Sequence, residues 1–257
     1  MNRALVGALA SFGLAAAVWE AFARSGLFAP ALSPPLLAVG AALIGMITSG
    51  ALGLHVLYTL GRILIGLALA AVAGIPLGLL MGRHRPVERF CLPLVSVLNP
   101  IPSLAWVPLF ILWFGLGNAA AIALVIYAAT FPLVINTWTG VRSVNQLWLR
   151  AAETMGADRR ALFFKVVLPA ASPYVITALR QAFARSWIAV VGGEMIAATT
   201  WGLGFVIFDA KEYLNTDVMV ATLVVIGGLG LAIERLVFQA VEARTVGRWG
   251  MVRMGRG

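Results

Sequence analysis

The chain has 257 residues, 61% hydrophobic and 11% charged, whereas a soluble globular domain is roughly 45–50% apolar and about 25% charged. That composition excludes a soluble domain, and long apolar runs separated by short polar loops select an all-α polytopic membrane bundle. The net charge of +9 rests on seventeen Arg with Lys165 and Lys211. Clustered in loops, these residues read as topology signals and not as a nucleic-acid footprint, and the single Cys91 allows neither an intrachain disulfide nor a CxxC site.

The first predicted span is Ala4 to Phe22. Arg3, this apolar run and Ala21-Phe22-Ala23 also imitate a secretory signal with its cleavage site, but Glu20 beside the cut argues against removal. Leu36 to Leu57 carries no acid, Lys or Arg, yet Gly40, Gly45, Gly50 and Gly53 make a poor lipid-facing helix. A seventh span here would also place Arg83, Arg85 and Arg89 outside. The segment is therefore expected to be an outer-side or interfacial helix.

Five further spans are expected at Ile63 to Met81, Leu92 to Phe114, Ala119 to Trp138, Tyr174 to Ala197 and Val218 to Phe238, each about the 20 residues that a crossing needs. All belong to one transmembrane domain, residues 1–257. With Arg3 at the start, Arg83, Arg85 and Arg89 fall after the second span, and Arg142, Arg150, Arg159, Arg160 and Lys165 after the fourth. Arg235, Arg244, Arg248, Arg253 and Arg256 fall at the end. Fourteen of the nineteen basic residues thus share one side, the cytoplasmic one by the positive-inside rule, with both termini inside. Trp19, Trp113 and Trp201 near one set of span ends and Trp138, Trp148 and Trp249 near the other form the expected interfacial belts.

The longest loop on that side, Arg142 to Ser172, is built like two short helices. Ser143 and Gln146 have capping-box spacing, Gly156 supplies a left-handed stop, and an amphipathic stretch from about Asp158 to Val167 is expected to end at Pro169. Ala151 and Ala152 give the first helix a slim shoulder. It can seat in a groove of a partner protein or lie on lipid headgroups, and composition leaves both open.

Ala151-Ala152-x-x-x-Gly156 followed by Leu168-Pro169 resembles the EAA loop of binding-protein-dependent ABC importer permeases. Pro100-x-Pro102-Ser103, Leu112-Trp113-Phe114-Gly115-x-Gly117, Gly140-Val141-Arg142-Ser143-Val144 and Leu179-Arg180 are similar, in that order, to the nitrate, sulfonate and taurine branch. The resemblance runs from about Pro34 to Trp249. It implies a coupling helix over Ala151 to Ala157 that docks on a cytoplasmic ATPase, with Arg150, Ala151, Ala152, Glu153, Gly156, Ala157 and Pro169 as the coupling positions. The family's Glu before the two Ala is replaced here by Arg150, so a salt bridge from that position does not carry over, and Glu153 stands one turn later.

The resemblance further implies two ATPase copies, a periplasmic or extracellular solute-binding protein and a second permease copy, in the bacterial inner membrane. Neither Lys165 nor Lys211 follows a Gly, so a Walker A loop is absent. No cofactor is expected on this chain, and ATP with Mg²⁺ is expected on a separate ATPase.

Within the bundle, Asn99-Pro100-Ile101-Pro102 with Pro108 deprives several carbonyls of helical donors, a break tolerated where protein or water covers it. Arg180, Arg185 and Glu194 lie in the fifth span, where each charge costs about 2.5–3.5 kcal/mol at mid-membrane and avoids lipid. Arg180 is placed to snorkel to the inner interface. Asn99, Pro100, Pro102, Trp113, Phe114, Trp187 and Glu194 are the pathway candidates, although packing explains the kink and interfacial anchoring explains Trp113 equally well. An ion-coupled secondary transporter or channel is the alternative function, but Glu194 is its one strong coupling carboxylate. A membrane enzyme lacks the paired carboxylates, catalytic sets or metal clusters it needs.

Overall fold

A computed structural model describes residues 3–29, 31–197 and 200–241. Arg244, Arg248, Trp249, Arg253 and Arg256 of the expected inner tail lie outside the described residues. The elements are helices throughout: α1 (Arg3–Arg24), α2 (Leu36–Thr48), α3 (Ala51–Arg83), α4 (Arg85–Leu98), α5 (Val107–Phe114), α6 (Asn118–Arg142), α7 (Gln146–Thr154), α8 (Arg159–Leu162), α9 (Leu168–Ala197), α10 (Leu203–Glu212) and α11 (Thr216–Ile233). Among the described residues, α3, α6, the continuous run Arg159–Ala197 and the run Thr216–Val241 are long and apolar enough to cross a membrane, and α4 with α5 makes a fifth crossing if the bent pair is one span. α1 coincides with the first expected span.

The core is built on α6, which packs along α3 on one side and α9 on the other. Small residues permit this. A Cβ at Gly66 would lie 2.5 Å from Val125, and one at Gly78 would lie 2.7 Å from Thr137. Gly74 faces Leu133 and Gly82 faces Val141 in the same way. The constant offset between partners means that α3 and α6 run parallel, their backbones drawn together by a small-residue stripe of the kind that drives helix association in lipid.

Three expectations are corrected. The 36–57 segment divides at Gly50, whose φ of +74° turns the chain. Leu36–Thr48 has 13 residues, too few for a crossing, and the remainder extends α3 to 33 residues. Pro169 does not end a helix. A π-helical stretch, Phe163–Val167, precedes it, and Leu168 N–H donates to the carbonyl of Phe163. This wider turn makes room for the proline ring, and the loop helix runs directly into α9. Ser143 forms no capping box: its hydroxyl donates to Gly140 at the end of α6, and α7 is capped by Asn145, whose Oδ1 accepts Leu147 N–H at 2.9 Å. α10 fills the stretch between the fifth and sixth expected spans, burying Leu203, Val206 and Ile207.

Candidate functional site

Three features carry candidate chemistry. The first is the helix break. α4 and the Ser103–Phe114 stretch meet at 89°, because Pro100 and Pro102 cannot donate to the preceding turn. Tyr127 of α6 compensates by donating its hydroxyl to the carbonyl of Leu98 at 2.7 Å. The break opens a cavity of about 170 Å³ lined by Asn99 to Ser103, Tyr127, Ala128, Phe131, Arg185 and Ile188. Asn99, Pro100 and Pro102 thus come together, and Arg185 Nη1 donates to Asn99 Oδ1 at 2.9 Å.

The other pathway candidates lie elsewhere. Trp113 and Phe114 are exposed at the end of α5. Trp187 stacks on Phe183 and approaches Gly230 of α11. Glu194 is wholly buried and forms an ion pair with Arg62 of α3, Nη1 to Oε1 at 2.6 Å.

That pair is the second feature, and its satisfaction is thorough. Thr59 Oγ1 lies 2.9 Å from both carboxylate oxygens of Glu194 as donor and accepts Leu203 N–H. Gly204 N–H donates to Oε2, and Arg62 Nε donates to Asn118 Oδ1. Gly202 N–H donates to His55 Nδ1 at 3.1 Å. Three donors from two elements, Thr59 and Arg62 of α3 and the Gly204 N–H of α10, therefore converge on one fully buried carboxylate, leaving none of its surface for a solute. Arg62 stands just before Ile63, where the second span was expected to start, so sequence reasoning passed over it. The signal was available: a lone Arg between long apolar runs needs a counter-charge, and Glu194 was an acid deep within an apolar span without an assigned partner. Arg180 meets Glu234 of the segment after α11.

The third feature is the loop from Arg142 to Ser172. α7 ends as expected at Gly156, φ +82°. Gly156 N–H donates to Glu153 and Ala157 N–H to Ala152, both through backbone carbonyls, the two bonds of a Schellman stop. No α7 residue is buried. Its outward face presents Leu147, Trp148, Ala151 and Met155, the last 87% exposed. Arg150 is exposed beside them. Glu153 lies on the opposite side with Gln146 and Leu149, lining a cavity of about 490 Å³ with Arg83, Arg85, Arg142 and Arg159. Pro169 sits past the π turn, at the root of α9.

A helical membrane bundle with a broken span and a rigid, doubly capped loop helix defines a transport permease fold. The solved methionine ABC transporter MetNI, in inward-facing conformations, shares it: TM-score 0.67 at 22% identity, covering 76% of this chain and 97% of that one. The chain belongs to the family of binding-protein-dependent transport system inner membrane components, matched over residues 74–247. It is 39% identical over 226 residues to a Methanocaldococcus jannaschii protein assigned as an ABC transporter permease, covering 86% of this chain and 84% of that one. It is 33% identical to the taurine transport system permease protein TauC of Escherichia coli, covering 95% and 90%. Identity is also 33% to the nitrate import permease protein NrtB of Synechocystis, covering 74% and 69%. The chain is a membrane-spanning permease subunit of an ABC importer.

Proposed function

We propose that this permease imports a small anion of the oxyanion or sulfonate class, powered by ATP and Mg²⁺ on two copies of a separate ATPase and supplied by an extracytoplasmic solute-binding protein. The solute class follows the relatives: one is named for taurine, which carries a sulfonate, and another for nitrate. A second copy of the same chain completes the pathway, and the arginine-rich end, with both termini, lies in the cytoplasm.

The observation that carries the coupling reading is α7: a short helix fixed at both ends whose Leu147, Trp148, Ala151 and Met155 face away from the bundle. An apolar helix face on a rigid stem suits insertion into a groove of a partner, and the continuous helix from Arg159 to Ala197 would carry the partner's motion into the membrane. Ala151, Ala152, Gly156 and Ala157 shape the docking segment, Arg150 borders it, and Pro169 lies at the base of the lever. Glu153 faces the arginine-lined cavity and therefore braces the loop; it does not replace the family's Glu at the ATPase. On the pathway side, Asn99, Pro100 and Pro102 line the route, Trp113 and Phe114 border its outer mouth, and Trp187 and Glu194 hold its wall.

The test is co-purification with the candidate ATPase, followed by ATPase activity and solute uptake in proteoliposomes, comparing wild type with Gly156→Val. A β-branched side chain at φ +82° is a steric outlier. The variant is expected to retain its membrane fold and to lose binding-protein-stimulated ATPase activity together with uptake. Uptake driven by an ion gradient with no ATPase bound would overturn the proposal.

A further inference from the structure

The exposed face of α9 carries Thr177, Gln181 and Arg185 four residues apart, so the three side chains form one polar stripe along the helix. Asn136 of α6 donates to Gln181 Oε1 at 3.1 Å, and Asn99 at the helix break accepts from Arg185. Arg185 is the eighteenth of the thirty residues of α9, near mid-membrane at about 1.5 Å per residue. A guanidinium at that depth, on the outside of a protomer, faces water or protein and not lipid.

Among the described residues no carboxylate pairs with Arg185, and none is free to do so from a second copy. Glu20, Glu88, Glu194 and Glu234 are engaged by Arg24, Arg142, Arg62 and Arg180. Glu153 and Asp158 belong to the arginine-rich loop, and Asp209, Glu212 and Asp217 lie around the connection between α10 and α11 at the opposite end. A two-fold arrangement of copies would bring to this stripe a second Arg185 and, among the described residues, no compensating acid. Asn99, a neutral acceptor, holds one Nη and leaves the other donors of the planar fork for a bidentate oxyanion.

We infer that Arg185, oriented by Asn99 at the broken helix, is the anion-selecting residue of the translocation pathway, which runs along the Thr177–Gln181–Arg185 face of α9 between two copies of the chain. This rests on the reading of the protein as an anion importer. The proline break contributes by ending α4 at the depth of Arg185, so that the side chain of Asn99 and the carbonyl-rich turn, rather than an apolar helix face, meet the guanidinium.

The experiment uses the complete permease–ATPase complex with its binding protein in proteoliposomes, with labelled taurine and nitrate as probes. Arg185→Gln is expected to lower uptake on the order of 10- to 100-fold, with ATPase co-purification unchanged and Arg185→Lys partly active. In a Cys91→Ser background, Arg185→Cys is expected to regain uptake after reaction with 2-aminoethyl methanethiosulfonate, which restores a cation, and not after reaction with the sulfonatoethyl reagent, which adds an anion. A purely structural role would not follow the sign of the added charge. Wild-type import of either probe with equal uptake by Arg185→Gln, or a thiol at 185 that no water-borne reagent reaches, overturns the inference and leaves the proposed function standing. A wild-type complex that carries neither probe but imports a solute lacking any anionic group overturns both.

Discussion

Replacing Glu194 by Leu should unfold the protein far more readily than removing both members of its ion pair. The carboxylate is fully buried and Arg62 is 4% exposed, 2.6 Å apart. At an effective dielectric near 20 their attraction is about 6 kcal/mol, most of it offset by the cost of taking both ions out of water. The intact pair thus contributes little net. Glu194→Leu, however, leaves a buried guanidinium with Asn118 as its remaining acceptor and strips the Thr59 hydroxyl and Gly204 N–H of theirs, a loss of about 3–5 kcal/mol. For a chain of this length that corresponds to a melting point lower by about 6–20 °C. Arg62→Met combined with Glu194→Leu removes the orphaned charge and should recover more than half of the loss. Fluorescence-detected size-exclusion after graded heating of the purified complex measures both, and the coupling between the two sites follows from the double-mutant cycle. Unchanged melting for Glu194→Leu, or a double variant no more stable than the single, would refute the assignment of this pair as an internal clamp.

Gly78→Val should be more damaging than its size suggests, because a Cβ there would stand 2.7 Å from both Thr137 Cβ and the Val134 carbonyl oxygen; a loss of at least about 1–3 kcal/mol, read as reduced yield of monodisperse permease, is expected, whereas Gly61→Val, with open space around it, should purify normally. Asn145→Ala removes the cap of α7 and should cost about 1 kcal/mol locally; faster amide exchange confined to Gln146–Thr154, with unaltered melting of the membrane core, is the expected result.

The fold was legible where a single periodic signal dominated. Apolar runs located the long apolar helices α3, α6, α9 and α11 and the bent α4–α5 pair, and Gly156 marked the stop of α7 because a left-handed residue after a helix leaves few alternatives. Boundaries failed where backbone compensation came from elsewhere in the chain. Pro169 reads as a terminator only if the preceding turn keeps α-helical spacing, and the Phe163–Val167 π turn does not. Asn145 and Ser143 are both good caps, and which one serves depends on where α6 stops, which its packing against α3 and α9 decides. At the site, proline chemistry made the Asn99–Pro102 break visible, but its neighbours Tyr127 and Arg185 are long-range partners that no local spacing specifies. Glu194 was recognised as an intramembrane carboxylate, while its environment depended on Arg62, 132 positions away in sequence, and on the return of the chain through Gly202 and Gly204.

The glycine contacts between α3 and α6 have a mechanical consequence. Gly66, Gly74, Gly78 and Gly82 of α3 each seat a particular side chain of α6 at the same offset, so a shift of one residue along the common axis would drive Val125, Thr137 and Val141 against backbone that offers them no recess. The two helices behave as a keyed joint that passes on a push and allows no slip. Because the Arg62–Glu194 pair ties α9 to the same joint at its far end, a stroke entering at α7, as proposed above, would travel the depth of the membrane in one stiff block. Flexing is left to the turn at Gly50 and the break at Asn99–Pro102, where the chain has already given up its helical hydrogen bonds.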